Sequence, residues 1–569
     1  LKFGGSVLRN RDTLRQAVHE IHRWRRDNFR VVAVVSALAG VTDELLGQCR
    51  EGSEHASDHV VASIVSGGEL QCASLLGQLL DQAGVPARVL TPAAIGLIAS
   101  GPALDAEPIG LNTGPIQNAL DHDDVVVVPG FVGIDSSSRT VVFGRGGSDL
   151  TALFLAAKLR ATKCRLVKDV GGIYERDPSG PGAAPDRYVQ LSWNDALRID
   201  GSVVQRKAVR FARRQGLIYE VGGFNGTSPT VVGQGPSSLA PAPAPQAPLR
   251  VALLGLGTVG GGVLELLRLL PETFDVTGIL VRDPHRARSH GIAEGLLTDD
   301  PLAAVQGADV VVEALGGTTP ACELIRSSLC NDAHVVTANK AAVAAERGLL
   351  GGTAQSVGRR LLHSAAVGGS VPVLERIACD PALVESVRGV VNGTVNFVLD
   401  GLAGGGALAD ILSDATSRGF AEEDASRDLS GQDAVDKLLV LASVLGWPLD
   451  RRDIHVEPAD EPAGTRAREA ATKGKRLRQV SSLRREGSSV TARVALEEVS
   501  PGDPLFSVHG GANACVIERP GGLAEVVRGD GAGRWPTAES VMGDLLEIAR
   551  QSSVARDRVT EELEAVHGY

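Results

Sequence analysis

The 569-residue chain has no Cys-x-x-Cys pair and no grouping of cysteine with histidine at metal-ligand spacing. Its seven cysteines, at 49, 72, 164, 322, 330, 379 and 515, are scattered and odd in number. That pattern argues against a disulfide framework and fits reduced thiols. No apolar run approaches the ~20 residues of a membrane span. The longest, 438–449, is interrupted by Ser443, Gly446 and Pro448 and reads as a core helix. There is no excess of basic charge: 57 Lys and Arg face 68 Asp and Glu, for a net charge of -11. The balance gives no general attraction for nucleic acid or an anionic membrane, and leaves room only for local phosphate pockets. No signal-peptide pattern is present at the start, Leu1, and no solenoid-length repeat occurs. These absences together predict a soluble, cytoplasmic protein.

With 43% hydrophobic residues, the chain can bury large cores, which excludes a disordered or fibrous protein. At roughly 150 residues each, it holds about three or four domains. The clearest boundary is 235–248, GPSSLAPAPAPQAP. Alternating Pro and Ala suits neither helix nor sheet ladder and predicts an extended spacer. On each side, strand-like and helix-like segments alternate. Residues 30–35, 124–128, 250–254, 276–281 and 308–313 are dense in apolar residues, as strands buried on both faces are. Residues 151–161 have helical spacing. The fold class is therefore α/β in both halves.

Directly after the 249–254 strand comes Gly255-Leu-Gly257-Thr258-Val259-Gly260, and then a helical run. Strand, G-x-G-x-x-G, helix is the order that a dinucleotide site requires. Gly255 permits the tight turn, Gly257 lets backbone approach the pyrophosphate, and Gly260 allows close helix–strand packing. The N–H groups of the helix start, from Thr258 and Val259 on, face the phosphates. The next strand ends at Arg282-Asp283. An arginine there accommodates the 2′-phosphate of NADP, while the neighbouring acid leaves NAD open.

The series GLGTVG, VVEALGG (311–317), VVTANK (335–340), AAVGGSVP (365–372) and VNGTVNF (391–397) resembles homoserine dehydrogenase. So do the stretches 419–442 and 529–546, in family order. The resemblance implies a Rossmann domain at 249–378, rejoined by 530–569, and an α+β substrate and dimerisation domain at 379–529. It implies hydride transfer between a nicotinamide and the aspartate semialdehyde/homoserine pair. By the motif match Lys340 and Lys437 stand at the reacting oxygen, and Glu422 and Asp433 around the amino acid. Asp428 and Thr394 are implied as further substrate contacts. Asp433 and Lys437 also share a helical face on spacing alone. Two buried lysines near one another are expected to lower each other's pKa. The resemblance further implies Na+ or K+ on the carbonyls of Val367 and Gly369, although Ser364 stands where the family often has a glutamate.

In the first half, Lys2-Phe-Gly4-Gly5-Ser6 sets a cation and free N–H groups at a strand end, an arrangement suited to phosphates. With 34–46 (VVSALAGVTDELL), SGGEL (66–70), GRGGSDLTA (144–152) and KDVGGIYERDP (168–178), it resembles the aspartokinase catalytic domain of the amino-acid kinase family, over 1–234. The resemblance implies phosphorylation of aspartate by ATP with Mg2+. Lys2, Gly4, Gly5 and Ser6 would hold phosphates, and Arg145, Glu69, Thr42 and Asp149 would hold aspartate. Lys168, Asp169 and Tyr174 would line the nucleotide pocket. Val7 follows Ser6 where a second hydroxyl residue is usual, Gly171 stands for the usual acid, and Lys168 for a threonine. The stretch 201–209 is diverged.

The whole resembles the bifunctional aspartokinase–homoserine dehydrogenases, without their small regulatory domains. Weak feedback by threonine or lysine and a homodimer or higher homo-oligomer are expected. An alternative is an active dehydrogenase joined to a degenerate kinase domain that serves binding or assembly.

Overall fold

The computed structural model describes residues 1–52, 56–199, 201, 203–244, 246–284, 291–417 and 424–567. The chain divides into two compact units. Residues 1–81, 86–246 and 550–569 form the first, and 82–85 with 247–549 the second.

The first unit is built on a nine-stranded sheet. In chain order its strands are β1 (Lys2–Phe3), β2 (Val31–Val35), β3 (Ala87–Val89), β4 (Val125–Pro129), β5 (Arg165–Val167), β6 (Arg187–Ser192), β7 (Tyr219–Gly222), β8 (Thr230–Gly233) and β9 (Ser238–Ala240). In space they run β9-β6-β8-β7-β5-β1-β2-β4-β3. The short β1 lies at the centre because parallel β2 and β5 flank it, with Lys2 level with Val34 and Leu166. Uninterrupted valine in β2 and β4 suits strands covered on both faces. The helices that matter for the site are α1 (Val41–Gly52), α2 (Asp58–Gln82) and α3 (Gly147–Leu159). The last starts earlier than its apolar spacing suggests, because left-handed Gly144 and Gly146 turn the chain into it.

Two sequence expectations need correction here. The Pro/Ala stretch is not wholly a spacer: Ser238–Ala240, ahead of the alternation, pairs antiparallel with β6 as an edge strand. Three residues free of proline suffice for a ladder at an edge, where only one side must be paired. The second concerns membrane-length apolar segments, of which none was expected. By length and composition α2 could cross a membrane, with a window of mean hydropathy 1.3. It nevertheless buries Ala62, Val65, Cys72, Leu76 and Leu80, and with them Glu69, inside the unit.

The second unit holds two six-stranded sheets. The first comprises β10 (Leu249–Leu254), β11 (Phe274–Leu280), β12 (Leu297–Thr298), β13 (Val310–Glu313), β14 (His334–Thr337) and β15 (Leu361–Leu362). It is parallel throughout, in the order β12-β11-β10-β13-β14-β15. The chain fills one side of β10 first and then the other, so a crevice opens between the ends of β10 and β13. Helix α4 (Thr258–Leu267) follows β10, and α5 (Lys340–Ser356) follows β14.

The second sheet, β16 (Ser386–Val390), β17 (His455–Val456), β18 (Arg476–Glu486), β19 (Ser489–Val499), β20 (Ala512–Arg519) and β21 (Leu523–Asp530), is antiparallel apart from the β17–β19 pair. With it come α6 (Gly393–Ala403), the single-turn α7 (Ser426–Leu429) and α8 (Gln432–Val444). Val343 and Ala344 of α5 share a core with Val435, Leu438 and Leu439 of α8. The final helix, α9 (Arg534–His567), returns Ala538, Val541, Met542 and Leu545 to the core beneath β10.

Candidate active site

At the crevice mouth, Gly255 adopts φ +100, and a side chain there would lie 2.8 Å from the carbonyl oxygen of Ala314. A β-carbon on Gly260 would come within 2.0 Å of the Gly255 carbonyl oxygen. No rotamer relieves such backbone overlaps, so glycine is required at both. Gly257 caps α4, and nothing lies within 4 Å of where its β-carbon would be. That open side, with Thr258 and Val259 in the first helical turn, is a cradle that fits a dinucleotide pyrophosphate. Arg282 and Asp283, both exposed, stand just beyond the end of β11, where a ribose would be read.

The chemistry-bearing cluster forms where α5 meets α8. Left-handed Gly431 starts α8, and Asp433 and Lys437 fall on one face. Asp433 is buried and accepts from two ammonium groups at once. Its Oδ1 is paired with Lys340, the first residue of α5, and its Oδ2 lies 2.8 Å from Lys437 Nζ. Lys437 also donates to the carbonyl of Val391. Asn392 donates to Asp433 Oδ2 at 3.0 Å and to Asp428 Oδ1 at 2.7 Å, while its own oxygen caps α6 at Val395 N–H, 3.0 Å away.

A pair at this distance gains roughly 5 kcal/mol at an effective dielectric of about 20. Removing each ion from water costs several kcal/mol. One carboxylate serving two cations collects that attraction twice while being desolvated once, so the charged form wins. The directions of titration agree. Burial pushes Asp433 upward, but Lys437 and Lys340 outweigh it and hold the carboxyl far below its ordinary range. For Lys340, desolvation lowers the pKa, yet Asp433, Asp428 and Asp436 together raise it above that of a free lysine. The expected lowering is thus corrected for Lys340, because an aspartate sits between the two lysines. Asp428 is raised, by burial first and then by the charge of Asp433, with Asn392 and the lysines opposing.

Asp433 stands between the two lysines. Expected around the substrate, it spends its oxygens on lysines and Asn392, which leaves Asp428 as the acidic group less committed to protein cations. Thr394 is buried in the first turn of α6. Glu422 lies outside the described residues. Asp436, also buried, is gripped by Arg427 and Arg451. Asn392 was missed in the sequence, although it stands inside the VNGT motif; its signal was a cap residue directly before a helix. Val367 and Gly369 lie on a turn with left-handed Gly368 and Gly369. Ser364 gives its N–H and hydroxyl to Asp544, at 3.0 and 2.6 Å.

The first unit has its own charged cluster at the end of β1. Lys2 Nζ lies 2.6 Å from Asp149 Oδ1, and Lys168 Nζ 3.0 Å from Oδ2. All three are buried. Burial, helped by Lys168 and opposed by Asp149, pushes Lys2 down to about 8. Asp149 is therefore shared by Lys2 and Lys168. A β-carbon on Gly4 would sit 2.7 Å from Lys2 Nζ, so the turn through Gly5 and Ser6 closes tightly on the ammonium.

Glu69 is buried, its Oε2 finds no partner, and burial raises it to about 7 against backbone N–H groups of Ala37 and its own residue. Arg145 is exposed and pairs with no carboxylate among the described residues, and Thr42 lies half-buried in α1. Asp169, exposed, is 4.0 Å from Arg9, and the backbone of Tyr174 forms an antiparallel bridge to Arg187 of β6.

Residues 1–218 match the amino acid kinase family, 255–364 the homoserine dehydrogenase NAD binding domain, and 372–546 homoserine dehydrogenase. The chain is 34% identical over 332 residues to homoserine dehydrogenase of Corynebacterium glutamicum, covering 55% of this chain and 74% of that protein. It is 35% identical over 329 residues to homoserine dehydrogenase of Mycobacterium tuberculosis H37Rv, covering 54% and 74%. A solved homoserine dehydrogenase from Thiobacillus denitrificans superposes with TM-score 0.51 at 33% identity, over 54% of this chain and 74% of that one.

Asp433→Asn leaves two ammonium groups facing each other without the carboxylate between them, and Asp428 and Asp436 act only from farther away. We expect a loss of about 3–5 kcal/mol in denaturant unfolding at neutral pH. The difference should shrink as acid protonates Asp433 in the parent, since a depressed carboxyl stabilises only while ionised. Equal stability at neutral pH would show that the pairing does not hold the site.

Proposed function

The chain belongs to the homoserine dehydrogenase family and carries an amino acid kinase domain ahead of it; on that basis we propose that residues 249–549 interconvert aspartate semialdehyde and homoserine, with NADP as the preferred dinucleotide. The observation that carries this reading is the Lys340–Asp433–Lys437 cluster beside the Gly255 crevice. An ammonium has three donors. Two of those on Lys437 are taken by Val391 and Asp433, and the third is left for a substrate oxygen. Lys437 donates the proton that converts the carbonyl to an alcohol, and Lys340 binds the same oxygen and completes the relay. Asp433 favours the charged form of Lys340 and orients both lysines.

Asp428, steadied by Asn392, receives the ammonium of the amino acid. The dinucleotide supplies or accepts the hydride. Gly255, Gly257 and Gly260 seat its pyrophosphate, and Arg282 favours a 2′-phosphate. Monovalent-cation binding at Val367 and Gly369 belongs to the same proposal, with no step assigned to it.

For the first unit the proposed reaction is phosphorylation of aspartate by MgATP. Lys2 and Lys168 draw charge from the transferring phosphate, and the Gly4–Ser6 amides position it. Glu69 takes the substrate ammonium, and Arg145 the α-carboxylate through its planar fork. A second reading, a kinase domain that binds without turnover, is favoured by Gly171 and by the divergence at 201–209. A cytoplasmic homo-oligomer is proposed for the whole chain.

Lys437→Ala should lower homoserine oxidation by at least a hundredfold while NADP affinity, read by fluorescence titration, stays within about twofold. Near-parental turnover would remove Lys437 from the chemistry.

In a hydroxamate assay with ATP and aspartate, the parent should give product and Lys2→Ala none. The KM for aspartate should fall as pH rises through about 7, because only ionised Glu69 attracts an ammonium. Glu69→Gln should lose that slope. No hydroxamate from the parent would favour the binding-module reading.

A further inference from the structure

Glu313 ends β13, in register with Leu254 of β10 and Thr337 of β14. Its side chain is fully buried, at 0% exposure, and no cation pairs with it among the described residues. A polar side chain in that position is costly to desolvate unless hydrogen-bond donors reach it. It has three. Leu315 N–H donates at 2.8 Å and Asn339 Nδ2 at 3.2 Å to Oε1, and the hydroxyl of Thr337 donates to Oε2. Having spent its proton on Glu313, the Thr337 oxygen accepts from Asn339 N–H at 2.9 Å. Asn339 in turn caps α5, accepting from Ala342 N–H at 3.1 Å, and donates to the Gly317 carbonyl at 2.6 Å.

Apart from the Thr337–Glu313 bond, every bond in this chain ends on the residue before Lys340 or on the 315–317 turn beside the Gly255 crevice. Lys340 is the first residue of α5, so the direction in which its side chain leaves the helix is set by this cap. A lysine at a helix start is also disfavoured by the helix dipole, which makes the placement dependent on a rigid cap and on Asp433.

We infer that Glu313 is a positioning residue for the reduction and oxidation chemistry: through Thr337 and Asn339 it fixes the start of α5 and thereby aims Lys340 at the reacting oxygen. This rests on the role proposed for Lys340. Glutamine at 313 has nearly the same shape but one acceptor oxygen fewer, so a donor must face a donor in the cluster.

A double-mutant cycle tests the inference on the full-length protein. Glu313→Gln alone should lower kcat for homoserine oxidation roughly tenfold to a hundredfold, with the KM for NADP within about twofold. In a Lys340→Ala background the same change should alter kcat by less than about threefold, since there is no lysine left to aim. Thr337→Val should reproduce this behaviour, and Thr337→Ser, which keeps the hydroxyl, should retain activity. The Thr337 variants carry the test if Glu313→Gln fails to fold. Equal losses in both backgrounds would overturn the inference and leave Glu313 a packing residue. Unchanged kcat in Lys340→Ala alone would overturn the proposed role of Lys340, and the inference with it.

Discussion

One carboxylate shared by two ammonium groups organises the second unit. Asp433 belongs to α8 and Lys340 to α5 of the dinucleotide domain, so the shared charge joins these two parts. Neither lysine would be stable there alone. The two cations repel, and buried Lys437 carries a desolvation cost of several kcal/mol. The aspartate reverses that balance, which is why Lys340 is held above its ordinary pKa. A site arranged in this way keeps protons available at neutral pH.

The surrounding structure supplies what the cluster cannot. The parallel sheet changes direction at β10, opening the crevice, and the glycines at 255 and 260 let α4 approach it without backbone overlap. Asn392 reaches both Asp428 and Asp433 while its oxygen caps α6, so a single amide sets the spacing of two like charges. On the far side, the Glu313 network secures the start of α5 through neutral donors rather than a cation.

The first unit uses the same device with a different result. Asp149 is again shared by two lysines, Lys2 and Lys168. There only one carboxylate faces two deeply buried cations, and Lys2 is pushed down to about 8. Lys340 is part-exposed and faces three aspartates, so its shift is upward. Much of this was legible in the sequence, and for definite reasons. Valine-dense strands and the G-x-G-x-x-G turn are local signals, and the Asp433–Lys437 spacing follows from helical periodicity. Contacts between residues distant along the chain were not legible. The convergence of Lys340, Lys437 and Asp433 was implied by the family resemblance alone, and nothing in the sequence shows that Asp149 would pair with Lys2 and Lys168 or that Asn392 would bridge two acids. The edge strand at Ser238–Ala240 was obscured by the prolines that follow it, since composition averages over a boundary that pairing resolves residue by residue.

The central claim is that the two lysines, aligned by Asp433, converge on the oxygen that gains or loses a proton. The most direct measurement is a crystal structure of the protein with homoserine and oxidised NADP bound together. The account predicts the substrate hydroxyl about 3 Å from Lys437 Nζ and within reach of Lys340, with Asp433 still between the lysines and Asp428 on the substrate ammonium. A hydroxyl seated away from both lysines, or Asp433 turned from them to the substrate ammonium, would contradict it.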